Sequence, residues 1–144
     1  MRISGTGETD PAGAVIRAAA AALVVLLLSS CASATDRVRD AVDSAIAATA
    51  SVAVVLDQLD LDRALPPYAD TVIGDALSEL DGAASDLTEL GPVGDPDDRD
   101  AALAAIRDAQ DAVLAARQTV ASGGDPGRDL DGVEAAADAL RDLS

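Results

Sequence analysis

Apolar residues recur along most of the chain at alternating steps of four and three. This heptad spacing turns one face of a helix toward partner helices. The first such helix is predicted over residues 35–62, and Pro66-Pro67 follows it, where proline lacks an amide donor and breaks the pattern. Its predicted inward stripe is Val38, Val42, Ala45, Thr49, Val52, Leu56 and Leu59.

The same spacing predicts a second helix over residues 69–90, ended by Gly91-Pro92. Its inward stripe is Ile73, Leu77, Leu80, Ala84, Leu87 and Leu90. A third helix is expected to start at Asp95-Pro96, because aspartate caps free amides and proline suits the first helical position. Gly123-Gly124 stops it, and its apolar face is Leu103, Ile106, Val113, Leu114 and Val120.

A fourth, shorter helix is predicted over residues 129–143, with Leu130, Val133, Ala137, Leu140 and Leu143 inward. The tripeptide Gly-Asp-Pro occurs before both the third and the fourth helix, thirty residues apart, which is weak evidence of a duplicated helical hairpin. The chain has no alternating apolar run of the kind that marks a strand. The predicted fold class is therefore all-α: an up-down helical bundle of three long helices plus a short fourth.

The composition limits how much such a bundle can bury. The chain has 33 alanines, no Phe or Trp, and one tyrosine. Alanine fills a narrow core between helices but not the deep core of a large enzyme. Tyr68, beside Pro66-Pro67, either packs at the end of the bundle or anchors a partner, and packing is the commoner reason for a tyrosine.

The charge excludes two classes of partner. The net charge is −16, and residues 1–30 are neutral, so the remainder carries 24 acidic residues against 8 arginines. Such a surface repels phosphate backbones and anionic lipid head groups. We therefore expect no nucleic-acid binding and no charge-driven binding to membranes.

The N-terminal segment has the pattern of an export signal. Arg2 and Arg17 precede an apolar run over residues 18–28, whose eleven residues fall short of the ~20 that a membrane-spanning helix needs. The run leads into Leu28-Ser29-Ser30-Cys31. These residues resemble the lipobox of bacterial lipoproteins: a branched apolar residue, two small residues, then cysteine. The resemblance covers residues 1–31. It implies transfer of diacylglycerol to the Cys31 sulfur and cleavage before Cys31 by the lipoprotein signal peptidase.

This resemblance predicts three regions: a signal peptide over 1–30, a lipidated N-terminus and short tether over 31–34, and the helical bundle over 35–144. The expected location is the extracytoplasmic face of the cell membrane, held by the Cys31 lipid with its palmitate-type chains. One alternative is cleavage after Ala34, since Ala32-Ser33-Ala34 is an A-x-A site, which would release a freely secreted protein. A second alternative is a signal segment that stays uncleaved as an anchor.

The residue inventory argues against an enzyme. Histidine and lysine are absent, and Cys31, the only cysteine, is expected to be blocked by lipid. Nucleophile–base pairs with histidine, histidine-bearing zinc sites and a P-loop are therefore excluded. Carboxylate pairs remain, but glycosidase-type chemistry needs a walled cleft and, usually, aromatic side chains.

Acidic clusters are candidates for calcium. The one most like an EF-hand loop is Asp125, Asp129, Asp131 and Glu134, although Gly132 as the invariant glycine would put Gly127 at the first ligand position. Helix caps and solvated faces explain this cluster more simply. The same holds for two others, Asp57/Asp60/Asp62 and Asp95/Asp97/Asp98/Asp100.

The predicted function is that of a small, non-enzymatic, membrane-tethered helical domain that contacts another envelope protein or a second copy of itself. No cofactor is expected beyond the covalent diacylglycerol on Cys31. The alternatives are an acidic, calcium-binding envelope protein and the freely secreted helical protein cut after Ala34.

Overall fold

A computed structural model describes the backbone of residues 11–91 and 95–144 and the side chains of 34–91 and 95–144. The described residues form four helices and no strand: α1 (Pro11–Asp60), α2 (Pro66–Glu89), α3 (Pro96–Ala121) and α4 (Gly127–Arg141). This confirms the all-α prediction and the short fourth helix. The chain divides into two compact units, Met1–Ser33 and Ala34–Ser144, and the bundle lies in the second.

Three of the four helices differ from the predictions in where they begin or end. α1 was expected to begin at Thr35 but is helical from Pro11, because alanine and leucine, both strong helix formers, dominate the intervening residues. α2 begins at Pro66, not at Ala69, since a proline in the first helical turn lacks only an amide that would have had no partner. α4 runs from Gly127 to Arg141, where residues 129–143 were predicted.

The core is a heptad seam to which all four helices contribute. Its largest fully buried side chains come from each helix in turn: Leu56, Val42 and Val52; Ile73, Leu80 and Leu87; Ile106 and Val113; Val133 and Leu140. Thr49 is the one buried polar residue among the described side chains, and its hydroxyl donates to the Ala45 carbonyl at 2.7 Å. The predicted inward stripe of α1 is therefore largely confirmed.

Alanines occupy the alternate positions of the seam. On α2 the buried alanines Ala69, Ala76 and Ala83 alternate with the large residues, and on α3 the same places are taken by Ala102, Ala109 and Ala116. The predicted inward positions Leu77 and Ala84 are only partly buried. Small residues at alternate seam positions of α2 and α3 let these helix axes approach closely, which makes a narrow core.

The bundle has two ends, which we call near and far. At the far end α1 turns into α2 and α3 turns into α4, and an ion pair of 3.0 Å between Arg117 Nε and Asp70 Oδ1 joins α3 to α2. At the near end lie Ala34, the end of α2 and the start of α3, where the Arg99 guanidinium donates to the Gly91 carbonyl. The near end is thus the one closest in sequence to Cys31.

One helical segment of the described chain, Ala34–Asp60, is long and apolar enough to cross a membrane by length and composition. Its position near the N-terminus is compatible with a signal or an anchor, but core helices pass the same test. Val42, Val52 and Leu56 of this segment are fully buried in the bundle. Packing between helices therefore accounts for the buried apolar residues of this segment.

Candidate functional site

The predicted lipidation site begins just before the bundle. Leu28, Ser29, Ser30 and Cys31 lie outside the residues whose side chains the structure describes. The first described side chain, Ala34, is three residues beyond Cys31 and only 3% exposed. The compact unit that holds the bundle also starts at Ala34. Hardly any linker therefore separates the predicted lipid from the folded domain.

The acidic residues singled out for calcium lie at the start of α4. Asp125 Oδ1 accepts from the Gly127 amide at 3.1 Å, so this carboxylate serves the first residue of the helix. Asp129 is half-buried, and its Oδ2 is buried without a hydrogen-bond partner, while Asp131 and Glu134 are exposed. Across residues 34–91 and 95–144, no group of three or more such side chains is arranged to hold a metal ion.

The cluster at the start of α3 performs the same local task. Asp95 Oδ1 accepts from the Asp97 amide at 3.0 Å, as Asp125 does for Gly127. Asp97 and Asp98 then occupy the first turn, where negative charge is favoured by the helix dipole. Both aspartates accept from the amide two residues later, but Asp95 is itself the N-cap of α3, whereas Asp125 precedes Pro126, the N-cap of α4.

Two hollows lie between α1 and α2, and we call them the near and far halves of one groove. Its lining falls on residues seven apart: Arg37, Ser44, Ser51 and Gln58 form one column of α1, and Asp40, Ala47 and Val54 another. On α2 the columns are Tyr68, Gly82 and Glu89, and Val72, Glu79 and Asp86. Because a heptad column follows one side of a helix, these residues run along the same side of the α1–α2 hairpin.

The near half of this groove is charged. It has a volume of about 390 Å³, and Arg37 and Asp40 of α1 face the three carboxylates of Glu79, Asp86 and Glu89 on α2. Arg37 is exposed and so are these acidic residues. This half resembles an ordinary solvated helix surface.

The far half of the groove is apolar. It has a volume of about 510 Å³ and is lined by Ala47, Ala50, Ser51, Val54, Val55, Gln58, Tyr68 and Val72. Val54 is 56% exposed and Tyr68 58% exposed. Two further exposed leucines, Leu61 and Leu65, lie in the adjoining turn. Four of the six large apolar side chains that are exposed in the described chain therefore gather in this one region.

Sequence reasoning did not find this region. The commoner interpretation of Tyr68, packing at the end of the bundle, is not what the structure shows, since the side chain is mostly exposed. Leu114 and Leu143 were placed inward and are each 43% exposed. The available signal was the run Val52-Ala53-Val54-Val55-Leu56, which is apolar all round and so cannot lie wholly on one buried stripe.

Comparison with protein-family models, with curated proteins and with solved structures gives no match for this chain. What it does must therefore be inferred from its own residues. Open grooves, helix caps and solvated carboxylates make up the described surface, and an apolar groove of this kind is suited to contact with another molecule.

Proposed function

We propose that the chain is a lipid-anchored bacterial envelope protein whose helical bundle is held at the extracytoplasmic membrane face and acts by binding, not by catalysis. The observation that carries the proposal is the order Leu28-Ser29-Ser30-Cys31 followed, three residues later, by the buried Ala34. A chain with this order brings its folded domain directly to the point of lipid attachment.

The buried Ala34 also favours one cleavage site over the other. Cleavage before Cys31 leaves the compact unit Ala34–Ser144 whole. Cleavage after Ala34 removes the first buried residue of that unit and the start of the helical segment that continues through Val38 and Val42. The lipoprotein site is therefore the better match to the domain boundary.

A binding role fits the residue inventory. The whole sequence has no histidine and no lysine, and its only thiol is the proposed lipid acceptor. General acid–base and nucleophilic mechanisms most often use these side chains. The surface instead offers an apolar groove with acidic flanks, which can give affinity and select a partner by charge.

The decisive measurement is the intact mass of the protein purified from its native membrane. We expect a mature species that begins at Cys31 and carries added acyl mass, and that partitions into the detergent phase. A Cys31→Ala variant should lack the acyl mass. A species that begins at Thr35 without lipid would refute the tether and point to the secreted fraction.

A matched variant separates the two peptidases. Ala32→Leu replaces a small residue that the A-x-A site requires and leaves Leu28-Ser29-Ser30-Cys31 unchanged. The lipidated species should persist at its wild-type level in Ala32→Leu. Loss of all processing in this variant would show that the A-x-A site is the one used.

A further inference from the structure

We infer that the far half of the α1–α2 groove binds an amphipathic helix of a partner protein, with the apolar stripe of that helix flanked by arginine or lysine. The groove residues are Ala47, Ala50, Val54, Tyr68 and Val72. This inference adds a kind of partner to the proposed function. It depends on that proposal only in one respect, that the lipid tether leaves the far half of the groove directed away from the membrane.

The apolar part of the argument comes from exposure. Val54 and Tyr68 lie on opposite walls of the groove, and each leaves more than half of its side chain in water. Isolated exposed apolar residues are normal, but a contiguous set with a concave shape marks an interaction site. Tyrosine adds a large, stiff contact surface with a polar tip, which is why it is enriched where proteins bind one another.

The shape of the groove favours a helix. Two antiparallel helices leave a furrow between them into which a third helix can lay its ridge of side chains. Ala47 and Ala50 line the α1 wall, and their small side chains let the backbone of a bound helix approach closely. Val54, Tyr68 and Val72 then supply the contacts that such a helix would bury.

The charge of the flanks specifies the partner. Asp43 and Asp57 lie seven residues on either side of Ala50, and Asp75 and Glu79 continue the columns of Tyr68 and Val72. All four carboxylates are exposed. From Asp40 to Glu89 the sequence contains eleven acidic residues and one arginine, Arg63, in the turn between the helices. Negative charge therefore lies one heptad away from the far half of the groove on both helices.

This charge excludes the other occupants of an apolar groove. A second copy of the chain would bring one set of these carboxylates against another, and like charges placed together across an interface cost several kcal/mol. An anionic lipid surface would be repelled for the same reason. A helix with basic flanks instead gains complementary pairs on both sides of its apolar stripe.

The test detects binding through the fluorescence emission of Tyr68. The chain has no other tyrosine and no Trp or Phe, so its tyrosine emission comes from the groove alone. The probe is a synthetic amphipathic peptide without aromatic residues, with leucine at heptad positions a and d and arginine at e and g. A matched peptide carries glutamate in place of arginine. Both are titrated into the full chain in nonionic detergent and into its Cys31→Ala variant.

We expect a saturable change in Tyr68 emission with the arginine peptide and none with the glutamate peptide. Val54→Ser should weaken binding of the arginine peptide by about tenfold, as loss of a central apolar contact does. Leu114→Ser, which removes an apolar side chain of comparable exposure on α3, should leave binding unchanged. Added salt should weaken binding in the wild type and have less effect in Asp57→Asn/Asp75→Asn.

Three results would overturn the inference: equal binding of both peptides, binding of neither, or a change in Tyr68 emission with protein concentration alone, which would make a second copy the occupant. Circular dichroism of Val54→Ser should match the wild type, because the side chain is exposed. Since Cys31→Ala carries no lipid, absent binding in that variant counts against the groove, whereas absent acyl mass in the wild type counts against the tether.

Discussion

The two halves of the α1–α2 groove share the same heptad columns and present opposite surfaces. Along one column of α1, the charged Asp40 of the near half gives way to Ala47 and then Val54 in the far half. On α2 the column that contains Asp86 and Glu79 continues as Val72. Beneath the groove, α2 keeps the same alternation of alanine with larger aliphatic residues in both halves, whereas α1 buries mainly alanine in the near half and Val52, Val55 and Leu56 in the far half.

The difference indicates that the surface residues of the far half are not dictated by the α2 core beneath them. If the core required apolar residues in these columns, the near half would have them too. Its charged residues show that the bundle packs without them. The exposed Val54 and Tyr68 therefore add little to the core, and the partner helix proposed above would give them a role.

The largest expected effect on the free energy of unfolding distinguishes the buried side of α1 from its exposed side. Leu56 is fully buried, whereas Val54, two residues earlier, is 56% exposed. Leu56→Ala should lower the free energy of unfolding by about 2–5 kcal/mol, because it removes buried methylene groups and leaves a cavity. Val54→Ala is the matched control and should change it by less than about 0.5 kcal/mol. Urea unfolding followed by circular dichroism measures both free energies. Similar decreases in the two variants would show that Val54 belongs to the packed core and not to an exposed groove.

A smaller effect compares the two ends of the bundle through the aspartates that accept amide hydrogen bonds at the starts of α3 and α4. Asp95 serves the start of α3 at the near end, and Asp125 serves the start of α4 at the far end. Replacing either by alanine should cost about 1 kcal/mol of unfolding free energy, since one helix amide loses its acceptor. The two variants should shift the urea midpoint alike. A null effect at Asp125 alone would show that α4 frays at the far end and that the Asp125 hydrogen bond contributes nothing.

The smallest effect concerns the ion pair between α2 and α3 at the far end. Both side chains of the Arg117–Asp70 pair are about half exposed, at 45% and 55%. Arg117→Ala should therefore cost less than about 1 kcal/mol, and high salt should abolish the difference from wild type. A loss as large as that of Leu56→Ala would mean that the far end depends on this pair for its packing.

The fold was predictable because leucine, isoleucine and valine mark the seam. Ile73, Leu80 and Leu87 lie seven residues apart and are all fully buried, as their spacing predicted. The alternate seam positions were missed where alanine occupies them. On α2 the larger Leu77 was preferred to Ala76, yet Ala76 is the buried one. Alanine is found both in cores and on surfaces, so hydropathy alone does not place it.

The groove was less predictable than the seam. A heptad pattern shows which residues of one helix share a side, but not which side of the next helix lies beside it. Val54 and Tyr68 come from different helices, and their proximity depends on how α1 and α2 pack. The lipidation motif, in contrast, is a local string of residues, so the sequence alone was enough to propose it.

Because the linker after the proposed lipid is so short, the length of the domain limits how far its far end can lie from the membrane. From Ala34 to Asp60 the helical segment has 27 residues, and at 1.5 Å per residue it is about 40 Å long. With the proposed lipid only three residues before Ala34, the far end of the bundle can reach no more than about 50 Å from the bilayer surface. A partner helix of the proposed kind would have to reach the groove within that distance of the membrane.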